Sequence, residues 1–309
     1  MSVLYFLESI RNPVLDVFFS LITLFGEEVL FMAIGMIIFW CVDKQQGYYL
    51  LCTGFCGTII NQFLKMCFRI PRPWIKDPSF TIVESAREAA TGYSFPSGHT
   101  QSSVGLFGGI ARWNRNKIIR TVTVALCVLV PLSRFYLGVH TPLDVLVSVG
   151  IALCLIFGCY PLFQKAKSSK KMMLGIFFAL ATITVAYLAF VCLFPFPASV
   201  YTEGAHNLQS ARENGFTLLG CILGIFAVYL IDEKWTHFPT HAVWWVQIVK
   251  AIIGIALVLA VKELLRAPLD FLFQGHLIAR TVRYLLMVLV GGVLWPMTFH
   301  RFKKMGQKK

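Results

Sequence analysis

Charge is scarce in this 309-residue chain: 14% of its residues are Asp, Glu, Lys or Arg, against 57% hydrophobic. A soluble domain carries about a quarter charged residues, so a water-soluble globular fold is excluded. Acid is scarcer still, 15 acidic residues against 28 basic, for a net charge of +13. Acid is absent from three short segments that together hold 13 of the 28 basic residues. These are Arg112, Arg115, Lys117 and Arg120; Lys165, Lys167, Lys170 and Lys171; and Arg301, Lys303, Lys304, Lys308 and Lys309. Base confined to short segments between apolar runs is the pattern of positive-inside membrane loops, and it argues against a nucleic-acid partner. The nine cysteines lie in or beside apolar runs without zinc or disulfide spacing, which excludes a zinc module or a disulfide scaffold. Cys52 and Cys56 share a helix face and read as small core residues. A cleavable signal is not expected: the first base is Arg11, Glu8 and Asp16 interrupt the apolar stretch, and no small-residue cleavage site follows. Internal repeats and low-complexity linkers are also missing.

What is present is a succession of long apolar runs. A bilayer core about 30 Å thick takes about 20 apolar helical residues to cross. Runs at 27–42, 48–68, 99–113, 118–133, 141–162, 172–193, 215–231, 242–262 and 276–299 predict an all-α polytopic transmembrane bundle of about nine spans. Residues 1–25, with Glu8, Arg11, Asn12 and Asp16 and split by Pro13, read as an interfacial or re-entrant helix. The expected division is 1–25, a catalytic helical core at 26–163, and a four-span extension at 164–309 ending in a basic tail.

Counting spans fixes the sides. Two spans separate the basic loops at 112–120 and 164–171, and four more separate the second loop from the carboxyl tail. All three basic segments therefore share one face, expected to be cytoplasmic. Segments 69–98 and 134–140 then share the opposite, extracytoplasmic face.

Those two segments border three unusual polar clusters. Lys65-x6-Arg72-Pro73 ends the second run, Pro96-Ser97-Gly98-His99 opens the third, and Ser133-Arg134-x5-His140-x3-Asp144 bridges the fourth and fifth. Ionisable groups beside membrane spans are costly and are site candidates by default. Lys65, Arg72 and Arg134 suit phosphate oxygens, arginine as a planar fork and lysine as a point charge. Ser97 and Gly98 stand at a helix amino terminus, where free N–H groups favour an anion, and glycine admits a close approach. His140 and Asp144, four apart at a helix start, are predicted to share a face. A carboxylate on one imidazole nitrogen fixes the tautomer and leaves the other free to attack. His99, on another helix, can protonate a leaving alkoxide.

Together the clusters resemble the type 2 phosphatidate phosphatase superfamily, the lipid phosphate phosphatases that share a site with vanadium haloperoxidases. The family signature, K-x6-RP, PSGH and SR-x5-H-x3-D, is met at every defined position over roughly residues 15–163. The resemblance implies His140 as nucleophile, Asp144 as its orienting partner and His99 as general acid. It places Lys65, Arg72, Ser97, Gly98 and Arg134 around the phosphate and implies no metal or other cofactor. The spans after residue 171 are similar in plan to the longer sphingosine-phosphate phosphatases.

The expected activity is hydrolysis of a lipid phosphate or diphosphate at the extracytoplasmic face of a plasma or inner membrane. Two other readings stand beside it: a phosphotransferase that passes the same phosphoryl group to another acceptor, and a non-catalytic lipid binder or transporter working through 172–299. Glu27 and Glu28 read as boundary residues. Glu84, Arg87 and Glu88 read as a solvated turn, and Glu203, His206, Arg212 and Glu213 as loop polarity. Trp235, Trp244 and Trp245 read as an interfacial aromatic belt.

Overall fold

The apolar runs become helices in the computed structural model of the chain, which describes residues 1–201 and 204–304. Among the described residues there is no strand. Glu203, Lys308 and Lys309 lie outside them.

The amino-terminal stretch forms two helices. Helix α1 is Ser2–Ser9, and α2 is Pro13–Thr23. Pro13 starts α2 where its missing N–H costs nothing, and the Asn12 side chain caps it by accepting from the Leu15 N–H. A 3₁₀ turn, Leu24–Gly26, then leads to α3, Glu28–Cys41. The axes of Pro13–Gly26 and Glu28–Cys41 differ by 53°. Next come α4, Lys44–Phe68, and α5, which is continuous from 98 to 113 with a π-helical stretch at Val104–Gly108. Helices α6, Lys117–Tyr136, and α7, Pro142–Ala166, follow.

The extension adds α8, Lys170–Leu193; α9, Ala205–Ile231; α10, Trp244–Leu264; and α11, Ile278–Leu289, which continues through Val290–Leu294. Helix α9 starts ten residues before the apolar run predicted at 215–231. Its first turns carry His206, Asn207, Gln209 and Arg212, which hydropathy reads as loop although nothing in them breaks a helix.

Six helices are long and apolar enough to cross a membrane, and a seventh candidate is the bent pair at Pro13–Gly26 and Glu28–Cys41. The chain is an all-helical integral membrane protein, and the predicted count of nine spans is not reached by this measure. Part of the reason is geometric. At 1.5 Å per residue, the sixteen residues of α5 reach only about 24 Å, and a bend between Gly26 and Glu28 separates α2 from α3.

The chain divides into two compact units. The first holds Met1–Met32, Tyr49–Gln164 and Pro195–Ala211; the second holds Ala33–Tyr48, Lys165–Phe194 and Arg212–Lys309. In the first, α6 packs against α1, α2 and α5. In the second, α10 packs against α11 and the π-helical stretch that follows it. The second unit carries its own polar anchor: Lys44 Nζ bonds Asp232 Oδ2 at 2.5 Å, and Asp232 Oδ1 accepts from the Thr236 hydroxyl and the Phe238 N–H.

Candidate active site

Four helix ends meet in the first unit: the end of α4, the start of α5, the end of α6 and the start of α7. Backbone hydrogen bonds tie the segments between them. Ser94 N–H donates to Ile70 O at 2.8 Å, Ser97 N–H to Asp144 O at 3.1 Å and Val83 N–H to Leu137 O at 3.2 Å. Residues far apart in sequence are thereby brought to one buried place. Lys65, Arg72, Ser97, Arg134, His140 and Asp144 are each less than a tenth exposed.

Arg72 is the most fully held. Its Nε donates to Gly92 O at 3.1 Å, Nη2 to Thr91 O at 2.6 Å and Nη1 to Val139 O at 3.0 Å. The same Nη1 lies 2.9 Å from His140 Nε2. A guanidinium only donates, so His140 Nε2 is the accepting nitrogen and the ring proton sits on Nδ1. Nδ1 faces Asp144 Oδ2 at 3.4 Å, a contact too long for a good hydrogen bond. Burial and the surrounding cations, Arg72 first, then Arg134 and Lys65, hold the His140 pKa well below the usual imidazole range. The ring is therefore neutral, with a lone pair directed toward the cations.

The route to that pairing corrects the helix-face argument. His140 precedes α7 instead of lying on it. Thr141 caps the helix: its hydroxyl accepts from the Asp144 N–H at 3.4 Å while Asp144 Oδ2 accepts from the Thr141 N–H at 2.8 Å. This reciprocal cap, with Pro142 in the first turn, sets the carboxylate beside the imidazole. Ser94 adds a hydroxyl donor to the same Oδ2 at 2.6 Å.

Arg134 is wholly buried, and Nη1 donates to Thr23 Oγ1 at 2.6 Å. Its Nε and Nη2 are buried with no hydrogen-bond partner among the described residues, as are His99 Nε2 and His140 Nδ1. Unpaired buried donors are costly, and the nitrogens of Arg134 can be satisfied only by an acceptor. Lys65 Nζ donates to the Tyr93 carbonyl and lies within electrostatic range of Arg72, Arg134 and Asp144. Ser97 caps α5 through the Thr100 N–H at 3.4 Å. A Cβ added at Gly98 would meet nothing within 4 Å, which leaves open space beside the helix start. The result is a concentration of cations, helix-start N–H groups and two imidazoles, with one carboxylate, suited to a tetrahedral oxyanion.

Glu27 is in electrostatic range of Arg134, and Glu28 of Lys65, so both stand nearer the cluster than boundary residues need to. Arg87 pairs with Glu84 at 2.7 Å on an exposed turn, and its guanidinium stacks over Trp74. Trp235, Trp244 and Trp245 are exposed. Ser94, Thr23 and the carbonyls of Thr91, Gly92, Tyr93 and Val139 did not stand out in the sequence. Among the described residues no three His, Cys, Asp or Glu side chains gather as a metal site, and all nine cysteines are free thiols.

Fold and site together define an integral membrane protein with a buried cluster of histidine, arginine and lysine side chains. The chain belongs to the PAP2 superfamily, whose profile matches residues 46–168; a second profile, the PAP2 superfamily phosphatase transmembrane extension, matches 216–308. It is similar to undecaprenyl-diphosphatase BcrC of Bacillus subtilis (strain 168), 30% identical over 151 residues, covering 48% of this chain and 74% of that protein. It is also similar to a probable sphingosine-1-phosphate phosphatase of Dictyostelium discoideum, 32% identical over 161 residues, 48% of this chain and 38% of that one. Sphingosine-1-phosphate phosphatase 2 of Mus musculus aligns over 272 residues at 24% identity, 81% of this chain and 72% of that one. No solved structure matches at the same level of significance.

Proposed function

We propose that the protein is an integral membrane phosphatase that hydrolyses a lipid phosphate or lipid diphosphate through a phosphohistidine on His140. The observation that carries this reading is the accepting Nε2 of His140, 2.9 Å from Arg72, beside the unpartnered donors of Arg134. The phosphate oxygens engage Arg72, Arg134, Lys65 and the N–H groups at the start of α5. His140 Nε2 attacks phosphorus while the bond to the lipid oxygen breaks. Asp144 steadies the Nδ1–H as the ring gains positive charge, and His99, protonated once the phosphate charge offsets the surrounding cations, delivers its proton to the leaving oxygen. Neutral His99 then takes a proton from water. The hydroxide breaks the P–N bond, which releases inorganic phosphate and restores both imidazoles. Positioning and charge do most of the work in such transfer.

The site is read as extracytoplasmic because the basic segments at 112–120 and 164–171 belong to the other ends of the helices that carry it. The lipid tail stays in the bilayer while the headgroup meets the cations. The relatives' names span prenyl diphosphates and sphingoid phosphates, so the substrate class proposed is the lipid-linked phosphate itself.

The test is phosphate release by the purified protein in chelator. The substrates are undecaprenyl diphosphate, phosphatidylglycerophosphate, phosphatidate and sphingosine 1-phosphate, each run with wild type and with His140→Ala. At least one lipid should turn over, and the variant should lose about 10³-fold or more in kcat. Full turnover by the variant would refute the mechanism.

A further inference from the structure

The end of α2 and the turn that follows it touch the site at two points. Thr23, at the end of α2, is buried, and its Oγ1 accepts the Arg134 Nη1–H at 2.6 Å. Three residues on, Gly26 lies against the other wall: a Cβ there would sit 2.8 Å from His99 Cβ, 3.0 Å from His99 O and 3.0 Å from Val130 Cγ1. One short turn thus contacts both a proposed phosphate ligand and the proposed general acid. It is also the turn that packs against the first residues of α5.

A guanidinium is a rigid planar fork. Fixing one of its Nη atoms and the direction of its stem fixes where the remaining donors point. Thr23 holds Nη1, while Nε and Nη2 have no partner among the described residues. Without the hydroxyl, a buried Nη1 would lose its acceptor, and the fork would turn toward another one, such as a backbone carbonyl.

We infer that Thr23 is a positioning residue for the phosphate site, holding the Arg134 guanidinium so that Nε and Nη2 face the substrate phosphate. This rests on the reading of His140 and Arg134 given above. It makes the amino-terminal helix pair part of the active site, although the family match begins only at residue 46. The valine variant keeps the shape of Thr23 and removes the acceptor; the serine variant keeps the acceptor and trims a methyl group.

The experiment compares wild type, Thr23→Val and Thr23→Ser in the best lipid of the panel. It reads KM, kcat, the inhibition constant of orthovanadate and thermal stability in detergent. Thr23→Val should raise KM and the orthovanadate constant about tenfold, the usual loss when a hydrogen bond to a charged group goes, and Thr23→Ser should return both to within about threefold. Because Thr23 acts through Arg134, adding Thr23→Val to Arg134→Ala should change the orthovanadate constant by less than about twofold. Arg134→Lys serves as the background if the alanine variant binds too weakly to measure. Equal losses from Thr23→Val in both backgrounds would overturn the inference, as would wild-type constants in Thr23→Val. Inactive His140→Ala beside an unaffected Thr23→Val removes only this inference. An active His140→Ala removes the phosphatase reading itself.

Discussion

The two units treat their buried and half-buried cations in opposite ways. In the second, Lys44 is paired with Asp232 and lies 3.7 Å from the centre of the Phe238 ring. Lys250, 1% exposed, donates to the carbonyls of Trp40 and Thr240 and sits over Phe299. Arg280 pairs with Glu213 at 2.6 Å. Among the described residues, the one basic side chain there with a buried unpartnered nitrogen is Arg283, at Nε; its guanidinium lies 5.5 Å from the Tyr284 ring centre. In the first unit Lys65, Arg72 and Arg134 crowd two imidazoles and Asp144, with Glu27 and Glu28 in electrostatic range; Arg134, His99 and His140 keep unpartnered nitrogens, as Arg11 does at Nη2. A cation completed by its own protein needs no ligand, and removing its partner is costly. A cluster left incomplete is a candidate for binding something the chain does not contain. Burial alone therefore does not mark a candidate site, nor does a single orphan nitrogen such as that of Arg11 or Arg283; several unpartnered donors gathered beside two imidazoles do.

The widest gap between the units should appear on truncating a cation in each. Arg134→Ala is expected to lower kcat/KM by about 10³-fold, as for loss of a preorganised ligand to transition-state charge, with the melting temperature little changed or raised. Steady-state kinetics and a thermal scan on the same sample check it. An unchanged kcat/KM would place Arg134 with the structural cations.

Ser94→Ala sharpens the comparison inside the first unit. Removing the 2.6 Å donor to Asp144 Oδ2 leaves the carboxylate less well aimed at His140. An outer-shell loss of this kind costs about 10-fold or more, read in kcat more than in KM. A change in KM alone would mean that Ser94 serves substrate binding instead.

Lys44→Ala is the counterpart in the second unit. It strands Asp232, a loss on the order of 2 kcal/mol for a partly exposed pair. A lower melting temperature should accompany a kcat/KM within about twofold of wild type per folded molecule. A large kinetic loss at unchanged stability would break the distinction between the units.

How much of this was legible in the sequence depends on the kind of interaction. Lys65, Arg72, His99, Arg134, His140 and Asp144 announced themselves because charge beside an apolar run is expensive. Counting spans put them on one face, and the structure brings them together. Thr23 was not legible: its contact with Arg134 crosses 111 residues, and a threonine in an apolar helix carries no signal. The carbonyls that hold Arg72 were hidden for a simpler reason, since every residue offers one. The pairing of His140 with Asp144 was anticipated for the wrong reason, helical spacing where a capping box operates. The span count was the weakest part, because hydropathy does not see the bend after Gly26.

The most direct measurement is a structure of the protein with orthovanadate bound, since vanadate takes the geometry of phosphorus under attack. Vanadium bonded to His140 Nε2, with its oxygens accepting from Arg134 Nε and Nη2, is the predicted result. Vanadate bound at Lys44 and Lys167 in the second unit, with His140 Nε2 still on Arg72, would contradict it.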